Sequence, residues 1–241
     1  VAAYLVFVLY GPMASFGGVA VGERRGGEAR PARSALLGLL GAALGIERNA
    51  AATHAAMEHG YGVAVRVDAP GLPLSDYHTA QVPPARRGER HATRRAELDA
   101  VPLETILSRR EYRTDALLTV AVWARPEAPF TLAEIAAVLA RPRFALSIGR
   151  KSCPLGLPPA PAVVDAADIL AALAVRPVPL PEQIVRSQLR AAPRFVATDP
   201  DGVPAGVEPR WTETRRDAIA SRDRWQFSLR AEAVIDLPTL A

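Results

Sequence analysis

The sequence predicts an α+β protein, and three observations carry that prediction. An unbroken apolar run spans Tyr4 to Tyr10, two further apolar segments lie at Tyr61–Asp68 and Ala116–Ala124, and a capped helix opens at Thr131. Residues 4–10 are apolar at both alternating positions, as a strand covered on both faces requires, and Gly11-Pro12 ends the run. Glycine and arginine dominate 17–33, which reads as a loop. Ser34 then serves as the expected N-cap of a helix reaching Ile46. That helix holds Gly38, Gly41 and Gly45. Each interior glycine costs about 1 kcal/mol against alanine, so close approach of another backbone is expected there.

Tyr61–Asp68 and Ala116–Ala124 read as the second and third strands. Thr131-Leu-Ala-Glu134 has capping-box spacing and opens a helix through Ala140 that Pro142 stops. Phe144–Ile148 reads as the fourth strand. The order is βαββαβ, the ferredoxin-like (RRM-like) split arrangement. Its unusual feature is the connection of strands two and three, from Pro70 to Asp115, far longer than a hairpin needs. Within it Arg86, Arg87, Arg90, Arg94 and Arg95 stand against Glu89 alone, with His91 beside them. Eleven of the 22 prolines fall between 154 and 209, which leaves room for a helix only at Asp165–Ala174. Arg222–Ala233 alternates like a strand. The expected division is a domain over 1–157 and a small, loop-rich C-terminal region over 158–241 packed on it.

With 241 residues and 49% apolar content the chain can build a core, which excludes wholesale disorder. A lone Cys153 excludes an internal disulfide and argues against a Cys-ligated zinc, so a reducing cytoplasm is the expected compartment. Residues 4–10 are too short to span a bilayer and lack a basic leader, so no membrane association is expected. Of 29 basic residues, 28 are arginine and Lys151 is the lone lysine. A GC-rich genome explains much of that bias, yet arginine also forks phosphate and stacks on bases.

Gly149-Arg150-Lys151-Ser152 is not a Walker A loop, because Arg150 stands where glycine must precede the lysine. Adjacent cations at a strand end suit phosphate instead. His54, His59, His78 and His91 have no metal-ligand spacing except loosely His54 and His59, whose i, i+5 separation puts them on different helix faces, so neither metal nor cofactor is expected. Tyr77, His78, Tyr112 and Lys151 offer acid–base groups for metal-free RNA cleavage; an RNA-contacting or structural His78 is the simpler reading. Phe16 reads equally as a core plug or a stacking surface. The helix start at Arg33-Ser34 offers free amides and a positive dipole end to a phosphate.

Five separated segments, in order, resemble one family. They are Tyr4–Gly17, Arg33–Ile46, Asp76-Tyr-His-Thr79, Ser108–Ala116 and Gly149–Leu155, and together they are similar to the CasD family of type I-E CRISPR Cascade subunits. Beyond 155 the likeness thins to fragments such as Ser221-Arg-Asp-Arg-Trp225. The resemblance implies a non-catalytic RNA-binding subunit that grips the repeat-derived 5′ handle of CRISPR RNA with a long β-hairpin thumb, here about 76–115. It implies handle contacts at Met13, Ala14, Ser15, Phe16, Arg25, Arg33, Ser34, His78, Thr79, Arg109, Arg110, Tyr112, Arg150, Lys151 and Ser152. Phe16 stands where relatives often have Trp, and residues 83–103 match no motif. Implied partners are the handle RNA, a CasC-like backbone subunit, a CasA-like large subunit and, through guide pairing, target DNA. The alternative is a metal-independent endoribonuclease that cuts CRISPR repeat RNA, as a related subtype does.

Overall fold

The computed structural model describes residues 1–18, 20, 22–84, 90–99, 102–175 and 195–237. The elements are β1 (Ala2–Ala14), β2 (Arg24–Arg25), α1 (Arg33–Leu44), α2 (Ala51–Gly60), β3 (Tyr61–Ala69), β4 (Leu72–Val82), α3 (Arg94–Leu98), β5 (Glu104–Ala124), α4 (Leu132–Ala140), β6 (Ala162–Ala166), α5 (Ile169–Ala174), β7 (Phe195–Thr198), β8 (Trp211–Ser221) and β9 (Gln226–Asp236). One sheet runs in the order β6-β1-β5-β3-β7-β9-β8, with antiparallel neighbours throughout. β4 and the short β2 both pair with the outer half of β5, and β2 alone runs parallel to its partner.

The core strands form where the sequence is apolar on both faces, because both faces are covered. Leu5, Phe7 and Leu9 of β1, Val63, Val65 and Val67 of β3, and Leu118, Val120 and Val122 of β5 pack under Leu36, Leu37 and Leu40 of α1 and Ile135 and Leu139 of α4. On the other face Tyr4, Val6, Ala64, Ala121 and Val196 meet Ile169, Ala172 and Leu173 of α5. The capping box of α4 forms as the spacing requires: Glu134 N donates to Thr131 Oγ1 at 3.2 Å, and Thr131 N donates to Glu134 Oε2 at 2.8 Å.

Four expectations are corrected. Phe144–Ile148 is not a strand. Arg143 N and Phe144 N donate to Ala43 O and Ala42 O at 3.0 and 3.1 Å, so this backbone caps the end of α1, and Phe144 is exposed. The sheet position beside β1 goes to β6 instead. Second, Ser34 is not the N-cap of α1: Ala32 is, and it offers no side-chain cap. The cap comes from far along the chain, where Asp217 Oδ2 on β8 accepts from Arg33 N at 2.8 Å. Third, what approaches Gly38 and Gly41 is not backbone but side chains, the Arg222 guanidinium and the His54 ring; Gly45 lies past the helix and closes it at φ 78°. Fourth, the C-terminal region is not loop-rich where it is described. β7, β9 and β8 extend the same sheet beyond β3, and β6 closes its other edge, so the sheet crosses the expected boundary at 157. Arg222–Trp225 forms the β8–β9 turn, and the alternating strand begins at Gln226.

A buried ion network ties β7–β9 to the start of α1. Arg33 Nε donates to Asp199 at 3.0 Å and its Nη1 pairs with Glu58. Arg230 bonds Asp217 at 2.6 Å and Asp199 at 3.2 Å, Arg215 bonds Glu232 at 3.2 Å, and Arg30 bridges Glu232 and Glu213. Burying charges is costly unless each is paired, and every member here has an opposite charge. Burial raises the Glu232 pKa, but the guanidiniums of Arg30, Arg230 and Arg215 outweigh it and hold that carboxyl below its usual range.

Candidate nucleic-acid interface

β4 and the outer half of β5 pair from Leu72↔Thr114 to Val82↔Glu104, so the long connection is an antiparallel hairpin that leaves the sheet. At its base Asp115 has a φ of 54°, and the Tyr10 hydroxyl donates to Asp115 Oδ1 at 3.1 Å. At the outer end Thr93 caps the short α3, and Arg94 pairs with Glu97 at 2.7 Å. Arg90 and Arg95 are exposed; Arg86, Arg87 and Glu89 lie outside the described residues.

Strand alternation divides the hairpin into two faces. The pairs Leu74↔Tyr112, Asp76↔Arg110 and His78↔Ser108 share one, while Tyr77↔Arg109 and Thr79↔Leu107 share the other. Tyr112, Arg110 and His78 are therefore brought together, and Arg109 and Thr79 face away from them. Arg110 Nε donates to Ser108 Oγ at 3.3 Å, and His78 Nε2 lies 2.6 Å from Asp76 Oδ2 without the alignment of a hydrogen bond. The same alternation separates Tyr77 from His78 and Tyr112, which splits the acid–base cluster that RNA cleavage would need. Arg25 belongs to β2, opposite Arg110, and its Nη1 donates to Gly22 O at 2.5 Å.

The Gly149–Ser152 loop abuts the first of these faces. Gly149 has φ 91°, and a Cβ there would sit 1.9 Å from Ser15 O, so only glycine lets the loop press against the end of β1. Ser15 N donates to Ile148 O at 2.9 Å, and Ile148 N donates to Cys153 O at 2.8 Å, which closes the loop. The Arg150 guanidinium then stacks over the Tyr112 ring at 4.8 Å. Its Nη1 is buried and has no hydrogen-bond partner among the described residues. Lys151 and Ser152 are exposed next to it. A stacked guanidinium with an unpaired donor, flanked by an exposed ammonium, has the chemistry of an anion seat.

From Gly149 an open cleft of about 780 Å³ continues along the outer side of α1. Gly17, Ser34, Gly38 and Ala42 line it together with Arg215 and Arg216 of β8 and Arg222 and Trp225 of the β8–β9 turn. Sequence reasoning missed these β8–β9 residues. The only signal they gave was the Ser221–Trp225 fragment, with nothing to bring it beside α1.

Several expected contacts turn inward. Ala14 and Phe16 are 0% and 3% exposed, and both belong to the core cluster, so Phe16 is a plug and not a stacking surface. Ser15 is buried against the loop, and Met13, paired with Thr114, keeps partial exposure. Arg33 is 4% exposed, and besides its ion pairs its Nη2 donates to Glu58 O and Tyr61 O, both at 2.7 Å. Its guanidinium is saturated by protein, so it holds the fold together and does not face the cleft. The anion seat expected at the α1 N-terminus is already filled by Asp217. Ser34 is 7% exposed at the cleft wall. Among the described residues no group of three metal-ligating side chains occurs, and no helix is long and apolar enough to cross a membrane.

Comparison with known proteins places this geometry in one family. The family described as CRISPR-associated protein (Cas_Cas5) matches residues 4–230. The CRISPR system Cascade subunit CasD of Escherichia coli (strain K12) is 37% identical over 163 residues, covering 64% of this chain and 68% of that protein. A chain of a CRISPR RNA-guided surveillance complex superposes with a TM-score of 0.66 at 28% identity, over 97% of this chain and 89% of its own. A crystal structure of a Cas protein matches with a TM-score of 0.56 at 21% identity over 98% of both chains, which bears on fold alone. The chain belongs to the CRISPR-associated Cas5 family.

Proposed function

We propose that this chain is a type I-E CRISPR Cascade subunit that binds the repeat-derived 5′ handle of CRISPR RNA and has no catalytic role. The observation that carries the reading is the Arg150–Tyr112 stack, where an unpartnered guanidinium meets the base of the hairpin beside an open cleft. In this reading the hairpin is the thumb, and the handle runs from its Tyr112 face over Arg150-Lys151-Ser152 into the cleft. Arg110, His78, Met13 and Arg25, which pairs opposite Arg110, flank that path; Arg109 and Thr79 serve the opposite face of the hairpin. The strand order β6-β1-β5-β3, with α1 and α4 on one face, supports a ferredoxin-like unit whose fourth strand is β6. A CasC-like neighbour, a CasA-like large subunit and target DNA held through guide pairing complete the assembly.

The test is the double variant Arg150→Ala, Lys151→Ala, co-expressed with its genomic neighbours. The variant should unfold at the wild-type temperature yet lose handle RNA at raised salt. Its salt slope for single-stranded RNA should flatten by roughly 1.4, two phosphate contacts at about 0.7 each. RNA retention equal to wild type across the salt series would remove Arg150 and Lys151 from the interface. Heterogeneous 5′ ends on the co-purified RNA would sink the handle assignment itself.

A further inference from the structure

Where the β8–β9 turn lines the cleft, two guanidiniums crowd one exposed indole. Trp225 sits in the β8–β9 turn with a φ of 56° and is 57% exposed. Arg48, from the connection between α1 and α2, lies over its ring at 4.3 Å, and Arg222 lies at 5.3 Å. Phe227 braces the indole edge-on, with ring centroids 5.8 Å apart and planes at 76°. Arg48 Nε also donates to Arg222 O at 3.3 Å, which locks the two arginines side by side.

This arrangement lacks what the buried network nearby has. There each arginine is matched by a carboxylate, whereas neither Arg48 nor Arg222 has a carboxylate within ion-pair distance among the described residues. Burial and then the charge of Arg48 lower the Arg222 pKa, with the charge of Glu58 opposing only in part, so the pair is held together against repulsion. The fold also reserves space for it. A Cβ at residue 38 would sit 2.3 Å from Arg222 Nη2, so Gly38 keeps α1 clear of the guanidinium at the cost of helix propensity. An indole more than half exposed, flanked by two cations without an ion-pair partner among the described residues, is complementary to an unpaired nucleotide. The base takes the exposed part of the indole and the phosphate takes the guanidinium forks.

We propose that Trp225, Arg48 and Arg222 form a nucleotide clamp, which stacks an unpaired RNA base on the indole and holds the adjoining phosphate between the two arginines. The clamp rests on the RNA-binding reading above and adds a second anchor, on the wall of the cleft that Gly149 also lines.

Short unstructured oligoadenylate, titrated into the full chain at low salt, tests it through tryptophan fluorescence and affinity. Wild type should show saturable quenching, and Trp225→Phe should lose most of it while still binding, because Trp123 and Trp211 lie elsewhere in the sheet. Trp225→Ala should bind roughly tenfold or more weakly, the scale of one lost base–aromatic stack. Arg48→Ala, on an exposed side chain, should flatten the salt slope by about 0.7. Wild-type affinity in Trp225→Ala, alongside weakened binding in Arg150→Ala, would overturn the clamp and leave the RNA-binding reading intact. A Trp225→Ala chain that keeps its RNA affinity but fails to join co-expressed subunits would also overturn it, making the indole a protein contact. No oligoadenylate binding by wild type would remove both readings.

Discussion

Replacing Arg33 with alanine separates arginines that hold the fold from arginines that face RNA. Arg33 gives its Nε to Asp199 and its Nη1 to Glu58, with two further bonds from Nη2 to main-chain carbonyls. Removing one partner of a buried ion pair costs about 3–5 kcal/mol, because the other charge is left without compensation. Two features push the cost toward the lower end. Asp199 keeps Arg125 and Arg230, each at 3.2 Å. Glu58 already has its pKa raised, chiefly by burial with Arg33 opposing, so without Arg33 it can take up a proton. A loss of about 3 kcal/mol in a chain this long corresponds to roughly 6–12 °C in the unfolding midpoint. Differential scanning calorimetry of Arg33→Ala, beside Arg150→Ala as the variant with unchanged stability, measures it. The Arg33→Ala deficit should also shrink as pH falls toward the titration of Glu58. A midpoint within about 1 °C of wild type, with RNA binding lost, would refute the assignment of Arg33 to the interior.

Two further outcomes follow from local geometry. Gly149→Ala forces a Cβ toward Ser15 O at a φ of 91°, so the loop must shift; about 1–3 kcal/mol of stability should be lost together with the RNA affinity of Arg150. Urea denaturation and RNA titration of the same sample check this, and full RNA affinity would show that the loop does not carry Arg150 into place. His54 is buried against Gly41, and burial, with a smaller contribution from the charge of Arg222, lowers its pKa below 6.5 although Nε2 donates to Glu47 O. The unfolded chain therefore takes up a proton first, so the contribution of neutral His54 is complete above pH 6.5 and is lost as pH falls toward the folded value. His54→Gln, which keeps a donor for Glu47, should flatten the pH dependence of the urea midpoint over that window, and an unchanged slope would clear His54 of the effect.

How much of the site was legible depended on the range of each interaction. The doubly covered strand at Tyr4–Tyr10, the capping box at Thr131 and Glu134, and the long connection that became the β4–β5 hairpin are all local patterns, readable within a few residues. The placement of Arg150 and Tyr112 on opposite sides of one stack was foreshadowed only by motif likeness, since 38 positions separate them. Phe144–Ile148 shows the limit of local pattern. Its apolar character fits a strand, but its amides meet the free carbonyls at the end of α1, and β6 takes the sheet edge.

The arginines mark the boundary most clearly. By itself the sequence determined that cations would be arginine almost throughout, that the first strand would be central, and that a long excursion would leave the sheet before β5. It could not assign Arg33 to the interior ion network and Arg150 to the stack on Tyr112, because both are arginines at the edge of an apolar segment with no carboxylate close in sequence. Besides Glu58, that choice is made by carboxylates more than a hundred positions away. Asp199 and Asp217 reach the start of α1 only when β7 and β8 join the sheet, whereas among the described residues no carboxylate comes within ion-pair distance of Arg150, Arg48 or Arg222. A charge is neutralised or left available according to what the tertiary fold sets beside it, since Coulombic pairing acts over a few ångströms of space and not along the chain.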